Sequence, residues 1–539
     1  MTVFRLALRL GRVGAAGSAF IGGVAAFAQP LAFAQLAGST PQDREIFARQ
    51  MTTLGRQLLY ILPVPAALDT MGGWIQWRAL GPLPVVFAFW AIMAGTGAGR
   101  GDEERGLVEH WLSTGLSRAR YLASRSFAFA VLGALVTAAV VGLAELAAVS
   151  VGEAVPLGAL AVQGIGLLGV LLSCYAISLL AAQLVSTRRA AIGLAAAIIG
   201  TLYLINVAAR GGGPAGLGYV SPFWIYDRVR ALVPGGEVAP QALIALFGAA
   251  AACSGLAVAA FVRRDLGSAL FRRRGAVGTP TTRPSGDPFL RVPVLAILDQ
   301  QRWSVVAWTA GIALLGAYFL SFTRTVVDAM LATPGFRPYL ERAGLTTYTS
   351  FIGAIWLSTL VLFMSVYAIA QASGWAADDG EGRLETVLAQ PIARERVVIE
   401  RLTALLCAAA LVVFASALAV GAAAVAAGIG LDGARLVLGT ALTLAVVFAF
   451  GGLGAAGVSW RPRGTVIFLG AIAMVSYLVR ELAPLFEWPR WASDLSLYAL
   501  YGEPLSRDVD WARIGALVAI GLVGSIVALA AMRRRDVGA

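Results

Sequence analysis

Residues that could perform chemistry are few in this 539-residue chain. It has one histidine, His110, and three cysteines, Cys174, Cys253 and Cys407, which lie in separate apolar runs. All 42 basic residues are arginine, so the lysine that a P-loop places on the terminal phosphates is missing. The acidic residues are too scattered to suggest a catalytic pair. The sequence therefore predicts no catalytic residue, no metal site and no cofactor in this chain, with His110 at a surface and the cysteines in the core.

One polar sequence occurs twice, as GLVEHWLSTGLSRAR at 106–120 and as GRLETVLAQPIARER at 382–396. On a helix, the apolar residues of each copy form one stripe with the spacing i, i+3, i+4, i+8. Acidic residues precede each stripe, where they would favour the helix dipole, and arginines follow it. Gly115 and Pro391 hold the same position and can each stop a helix. The pattern predicts one short cytoplasmic helix per copy, over 101–118 and 377–394. The stripes consist of Val108, Trp111, Leu112 and Leu116, and of Leu384, Val387, Leu388 and Ile392.

These two segments could rest on the inner leaflet or bind a protein. A lipid surface asks only for an apolar face and positive charge, whereas both copies carry a glutamate, Glu109 and Glu385, at the same place. Anionic lipid would disfavour those carboxylates. The duplication therefore favours a protein partner with two equivalent docking sites.

The elements that position these segments are membrane-spanning. The chain is 58% hydrophobic and 13% charged, with a mean hydropathy of +0.77, and its apolar runs are continuous rather than alternating. We expect an all-α polytopic membrane protein with twelve spans. They lie at about 13–36, 81–99, 121–149, 157–186, 190–208, 241–262, 303–322, 351–375, 402–427, 435–459, 464–480 and 511–532.

The net charge is +12. The positions of the arginines along the chain indicate membrane topology rather than a nucleic-acid-binding surface. With a cytoplasmic N-terminus, the arginine clusters at 188–189, 263–264, 272–274, 461–463 and 533–535 all fall on the inner side of the plasma membrane. Both termini are then cytoplasmic. The first 29 residues resemble a signal peptide, but we expect this helix to be retained because the second half has a span at the equivalent place.

The chain consists of two tandem halves. At an offset of 276, Asp102 matches Asp378, Glu109 matches Glu385, and Arg125 matches Arg401. VSTRR at 185 echoes VSWRPR at 458, SPFWIY at 221 echoes SLYALY at 496, and FVRRDLG at 261 echoes MRRRDVG at 532. We expect a first six-helix half at 1–262, a cytoplasmic linker at 263–302, and a second six-helix half at 303–539.

The motif G-x-x-E-x-x-L-x-x-P-x-x-R-x-R after the second span, with SPF between the fifth and sixth, resembles the permeases of ABC-2 type ABC transporters. Two fused halves are similar to actinobacterial permeases labelled exporters of polyketide antibiotics, the tetronasin type among them. The resemblance implies that each repeated segment is a coupling helix that docks on an ATPase. Glu109 and Glu385 would be its polar contacts, and Arg118 and Arg394 its exit into the third span. The buried contacts would be Trp111, Leu112, Val387 and Leu388.

The resemblance also implies two nucleotide-binding ATPase subunits, expected as a homodimer, which would bind the ATP and Mg. Elbow helices at 2–12 and about 288–302 would lie on the inner leaflet. A hydrophobic small molecule would cross between the halves, past Phe87, Trp90, Phe363 and Tyr367. Two departures, Gly115 in place of proline and SLYALY in place of SPF, predict unequal coupling of the halves.

Three alternatives remain. A gradient-driven twelve-helix transporter needs a titratable group at midplane, and Glu145 is expected near the outer end of its span. A membrane-embedded enzyme or a flippase without ATPase partners is the second alternative. It is disfavoured because the sequence offers no cluster of catalytic residues. Lipid or glycolipid export by the same ABC-2 fold would use the same residues, and the cargo itself cannot be chosen from them.

Overall fold

The structure is a computed structural model that describes residues 3–57, 59, 62–213, 215–236, 240–269, 291–331, 341, 345–380, 382–483 and 488–535. Its regular elements in that part of the chain are helices. The helices form two compact units, Met1–Thr279 and Pro280–Ala539. The proline- and glycine-rich part of the predicted linker, 275–288, lies outside the described residues.

Six helices of the first unit are long and apolar enough to cross a membrane. They are α1 (Val3–Leu36), α3 (Met71–Glu104), α5 (Arg118–Ser150), α6 (Leu157–Leu184), α7 (Arg188–Arg210) and α9 (Pro240–Arg263). The shorter helices are α2 (Pro41–Gln57), α4 (Leu107–Leu112), α8 (Pro222–Asp227) and the single turn Ala215–Gly218. Helix α3 contains two π-helical turns, Ile75–Leu80 and Gly97–Gly101.

The second unit repeats this order of spans and short helices, except that its described residues contain no counterpart of α2. Its long helices are α10 (Pro293–Leu331), α11 (Tyr348–Gly380), α13 (Arg394–Ala426), α14 (Gly433–Trp460), α15 (Pro462–Leu482) and α17 (Trp511–Arg534). The short ones are α12 (Arg383–Leu388), α16 (Leu497–Tyr501) and the turn Arg490–Ser493.

The two units share their helix boundaries and their packing. Helices α12, α13 and α14 begin and end 276 positions after α4, α5 and α6. In both units the first span packs on the third, and the fourth packs on the second and sixth. The second and fourth spans are the most buried of the first unit. The repeat detected in the sequence is therefore a repeat of tertiary structure within each unit.

The connection between the fifth and sixth spans contains a short helix in both units despite the loss of SPF. Ser221 precedes α8, and Ser496 caps α16 by accepting from the N–H groups of Tyr498 and Ala499. The tyrosine that ends each motif anchors it, because Tyr226 donates to the Leu80 carbonyl at 3.1 Å and Tyr501 donates to the Gly439 carbonyl at 2.8 Å. The missing proline leaves this element in place.

The described residues contain eleven of the twelve predicted spans. Eleven helices among the described residues are long and apolar enough to cross a membrane, and the predicted span at 464–480 is a shorter apolar stretch, Gly464–Arg480. The described parts of the two predicted elbows, 3–12 and 293–302, are continuous with α1 and α10 rather than separate helices. Cys407 is exposed on α13, so its assignment to the core was wrong, while Cys174 is buried as expected.

Candidate functional site

The two short helices α4 and α12 each follow a second span across one glycine. Gly106 has φ +68° and Gly382 has φ +72°, the left-handed region that glycine adopts without a steric penalty. An added Cβ would meet nothing within 4 Å at either glycine. Backbone conformation, not space, therefore favours glycine at these two turns.

This turn corrects the predicted helix bounds. The segments 101–118 and 377–394 are not single helices, because the glycine separates the acidic residues from the helix that follows. Asp102 and Glu103 belong to the end of α3, and Asp378 and Asp379 to the end of α11. The acids therefore do not stabilise the dipoles of α4 and α12. Gly115 does adopt the left-handed conformation expected of a helix stop, with φ +85°.

The displaced acids form ion pairs instead, at matching positions in both units. Arg125 of the third span pairs with Asp102 at 2.8 Å between Nε and Oδ2. Arg401 pairs with Asp378 at 3.0 Å between Nη2 and Oδ2. Each pair joins the second span to the third across the short helix.

A second set of contacts joins the end of the second span and the start of the third span to the residue that follows the sixth span. Arg264 pairs with Glu103 in the first unit, and Arg535 pairs with Asp379 at 2.6 Å in the second. The carbonyl oxygens of the same two arginines accept hydrogen bonds from Nη1 of Arg118 at 2.5 Å and of Arg394 at 2.6 Å. The predicted exit arginines thus form hydrogen bonds within their own units. We call the ion pairs and these two hydrogen bonds the clamp of each unit.

The two clamps differ in burial. The Asp102 side chain is fully buried and also accepts from Tyr121 Oη at 3.0 Å, whereas the Asp378 side chain is 35% exposed. The first unit adds a fully buried Arg100, whose Nη1 lies 2.9 Å from Glu103 Oε2, at a position occupied by Ala376 in the second unit. The first clamp is therefore the more strongly desolvated one.

Fewer residues of the predicted apolar stripes are accessible on the short helices than the sequence suggests. Val108 and Leu384 are buried inside their own units. Glu109 and Glu385 are exposed, and Val387, expected among the buried contacts, is 43% exposed. Trp111, Leu112 and Leu388 are partly buried. Each helix thus presents a carboxylate beside apolar side chains that the unit leaves partly uncovered, which suits a protein surface better than water.

The other predicted residues occupy diverse environments. Phe87 and Tyr367 are fully buried, Trp90 is nearly so, and Phe363 packs at the edge of the second unit's core. Because the proposed pathway runs between the units, their role in it stays a prediction. His110 is exposed, as expected of a surface residue. Glu145 borders an apolar groove between α5 and α6, and its Oε2 is buried without a hydrogen-bond partner in the described structure.

Comparison with known proteins gives two matches. Residues 290–533 match the family model described as "Multidrug efflux system permease Rv1217c, C-terminal domain". The chain is 25% identical over 483 residues to the multidrug efflux system permease protein Rv1217c of Mycobacterium tuberculosis, covering 88% of this chain and 84% of that protein. Together with the eleven apolar helices, this similarity supports a multi-pass membrane protein of the permease type, a transporter rather than an enzyme.

Proposed function

We propose that this chain is the membrane-spanning permease subunit of an ATP-driven ABC exporter of the ABC-2 type. It moves hydrophobic or amphipathic, drug-like molecules out of the cell, and two separate ATPase subunits supply the energy. The similar mycobacterial protein is named a multidrug efflux system permease, and drug export is carried to this chain on that ground. Export of a lipid or glycolipid by the same fold is the alternative, and transport assays would distinguish it from export of drug-like molecules.

One observation carries the proposal: α4 and α12 are presented in the same way by both units. Each six-residue helix follows a left-handed glycine, keeps a glutamate exposed, and is followed by a clamp that reaches the third and sixth spans. A helix that only needed to rest on lipid would not require ion pairs to two further spans. Two equivalent presented helices fit a partner with two equivalent sites, such as a dimer of ATPases.

The clamps suggest how work reaches the membrane. When ATP draws two partner subunits together, a docked short helix is displaced. Both sides of α4 are tied, by Asp102 to Arg125 before it and by Arg118 to the Arg264 carbonyl after it. The second, third and sixth spans therefore move with the helix, and rigid-body motion of each half gives alternating access. The arginine-only composition, without a P-loop lysine, is consistent with ATP being bound elsewhere.

A gradient-driven transporter is the rival, and its requirement is a titratable group at midplane. Glu145 is the obvious candidate because one of its oxygens is buried without a partner. However, α5 ends at Ser150, so Glu145 lies only about 8 Å from the end of its helix. That depth suits a headgroup contact or a groove at the membrane edge better than proton transfer at midplane.

Co-purification of an ATPase with the chain tests the proposal. Wild-type protein, expressed in its native host, should retain an ATPase through purification, and the double variant Glu109→Arg with Glu385→Arg should lose it. The matched control is Glu45→Arg with Asp508→Arg, which reverses one exposed carboxylate per unit away from the short helices. The control should retain the ATPase.

Two results would contradict the proposal. One is equal ATPase retention by the Glu109/Glu385 variant and the control. The other is proton-coupled transport by the purified chain alone in vesicles without ATP.

A further inference from the structure

The first unit contains a cavity of about 240 Å³ beside its clamp, and the clamp residue Arg125 is one of the residues that line it. It lies among α1, α3, α5, α6 and α7, and its walls have two different characters. Three arginines, Arg105, Arg125 and Arg188, line one side. Aromatic residues line another: Trp90, Phe129 and Tyr175.

The arginine side carries uncompensated positive charge. Arg105 and Arg125 share a single carboxylate, Asp102, at 2.9 and 2.8 Å. Arg188 makes no ion pair within 4.0 Å in the described part of the chain, and its buried Nε has no hydrogen-bond partner there. Glu104, the nearest other acid, accepts from the backbone N–H of Arg188 at 2.6 Å. Three guanidinium groups thus face two carboxylates, so an anion would complete the site.

The aromatic side is rigid and apolar. Phe129 and Tyr175 stack with ring centroids 4.1 Å apart, and Trp90 lies 4.8 Å from Phe129. Gly14 of α1 lets the indole approach, since a Cβ there would come within 2.7 Å of Trp90 Nε1. Leu10 and Met93 also line the cavity and are 42% and 49% exposed. The cavity is therefore open to an apolar group from outside.

The second unit does not repeat this site. At the 276 offset, Arg105 becomes Glu381, Trp90 becomes Val366 and Tyr175 becomes Gly451. Arg401, the counterpart of Arg125, lines a different cavity of only about 20 Å³, together with residues such as Leu384 and Arg535. Because the second unit has the same helix packing without these side chains, the fold does not demand the arginine and the aromatic rings of the first unit's cavity.

We propose that this cavity binds an amphiphile with a phosphate or carboxylate group, the anion on Arg188 and Arg105 and the apolar body against Trp90 and Phe129. Anionic phospholipid and an anionic amphiphilic cargo share this chemistry. The site goes beyond the proposed function, because binding here requires neither an ATPase nor transport.

Binding to the full-length purified chain in detergent tests the proposal with decyl phosphate, dioctanoyl phosphatidylglycerol, dioctanoyl phosphatidylcholine and inorganic phosphate. The first two should bind at least tenfold more tightly than the zwitterionic lipid and than inorganic phosphate, which lacks the apolar body. Arg188→Gln should weaken binding of decyl phosphate about tenfold, since a charge-assisted hydrogen bond is lost. The matched control, Arg189→Gln, removes the same charge one residue away, outside the cavity lining, and should change the affinity less than twofold.

Further measurements separate a binding defect from a folding defect. Arg188→Lys keeps the charge and should retain part of the affinity. Leu10→Trp, at the open side of the cavity, should weaken binding while leaving the thermal unfolding temperature without ligand unchanged. Equal affinity for the two dioctanoyl lipids, or equal effects of Arg188→Gln and Arg189→Gln, would overturn the proposal.

The source of the ligand follows from nanodiscs of phosphatidylcholine with and without phosphatidylglycerol. If phosphatidylglycerol in the bilayer abolishes binding of decyl phosphate, the resident ligand is a lipid. If decyl phosphate binds equally in both bilayers, the site is free for an amphiphilic cargo. Either result supports the site, whereas no saturable binding of decyl phosphate in either bilayer contradicts it.

Discussion

At the scale of single residues, the acids at the ends of the second spans should contribute more to the stability of the protein than the exposed Glu109 and Glu385. Asp102 has no exposed side-chain surface. It forms ion pairs with Arg125 and Arg105 and accepts a hydrogen bond from Tyr121. Its counterpart Asp378 is partly exposed and serves Arg401 and Arg383. Water can replace much of the second interaction but little of the first, so equivalent residues should differ in energetic weight.

We therefore expect Asp102→Asn to destabilise the protein by about 3 kcal/mol, because it leaves the guanidinium of Arg125 buried without a counter-charge. Asp378→Asn should cost clearly less. Thermal unfolding of the two purified variants, followed by intrinsic fluorescence in the same detergent, provides the comparison. Equal shifts of the unfolding temperature, or a larger shift for Asp378→Asn, would show that burial does not govern the strength of these pairs.

At the scale of elements, the short helices depend on the backbone of one glycine each. A β-branched residue is disfavoured in the left-handed region, whereas asparagine tolerates it. We expect Gly106→Val with Gly382→Val to re-aim α4 and α12 and to reduce retention of the ATPase. Gly106→Asn with Gly382→Asn should retain it, since both sites have room for a side chain. ATPase activity that co-purifies with each variant is the measurement, and loss of the ATPase from both pairs alike would contradict the role given to the backbone.

The clamp predicts a different defect from the docking face. Arg118→Gln with Arg394→Gln removes the hydrogen bonds to the ends of the sixth spans while leaving Glu109 and Glu385 exposed. The ATPase should stay bound and hydrolyse ATP, but accumulation of dye in inside-out vesicles, or its efflux from cells, should fall several-fold. Loss of the ATPase, as in the Glu109/Glu385 variant, would place these arginines in docking instead of coupling.

The sequence predicted the elements better than their boundaries and pairings. Hydropathy and the 276-residue repeat located the long helices, because burying about 20 apolar residues in a bilayer leaves few alternatives. The stop at Gly115 was also correct. The turn at Gly106 was not foreseen, since glycine also occurs inside the helices of this chain and its left-handed φ cannot be read from its type alone. Matched charges at Asp102 and Arg125 were visible in the repeat, but which acid pairs with which arginine is decided by packing. The cavity beside Arg188 gave no periodic signal at all.

At the scale of the whole molecule, the open question is whether the helix α15 crosses the membrane. Its most apolar stretch, Gly464–Arg480, is short, but the full helix Pro462–Leu482 has 21 residues and is about 31 Å long. Arg480 near its end donates to Ser358 Oγ of α11, so this charge is accommodated within the unit. The length and this contact favour a span.

Charge distribution gives the same answer. If α15 did not cross, α17 would begin on the cytoplasmic side and place Arg533, Arg534 and Arg535 outside, against the positive-inside rule. We therefore expect twelve spans with both termini cytoplasmic.

The test uses single cysteines in a background without Cys174, Cys253 and Cys407, with a membrane-impermeant maleimide applied to intact cells. Asp508→Cys, whose parent side chain is 99% exposed, should be labelled from outside. Ala389→Cys and Trp460→Cys should be labelled only after the cells are opened. Labelling of all three positions from the same side would remove α15 from the membrane, and with it the equivalence of the two halves on which a two-site partner depends.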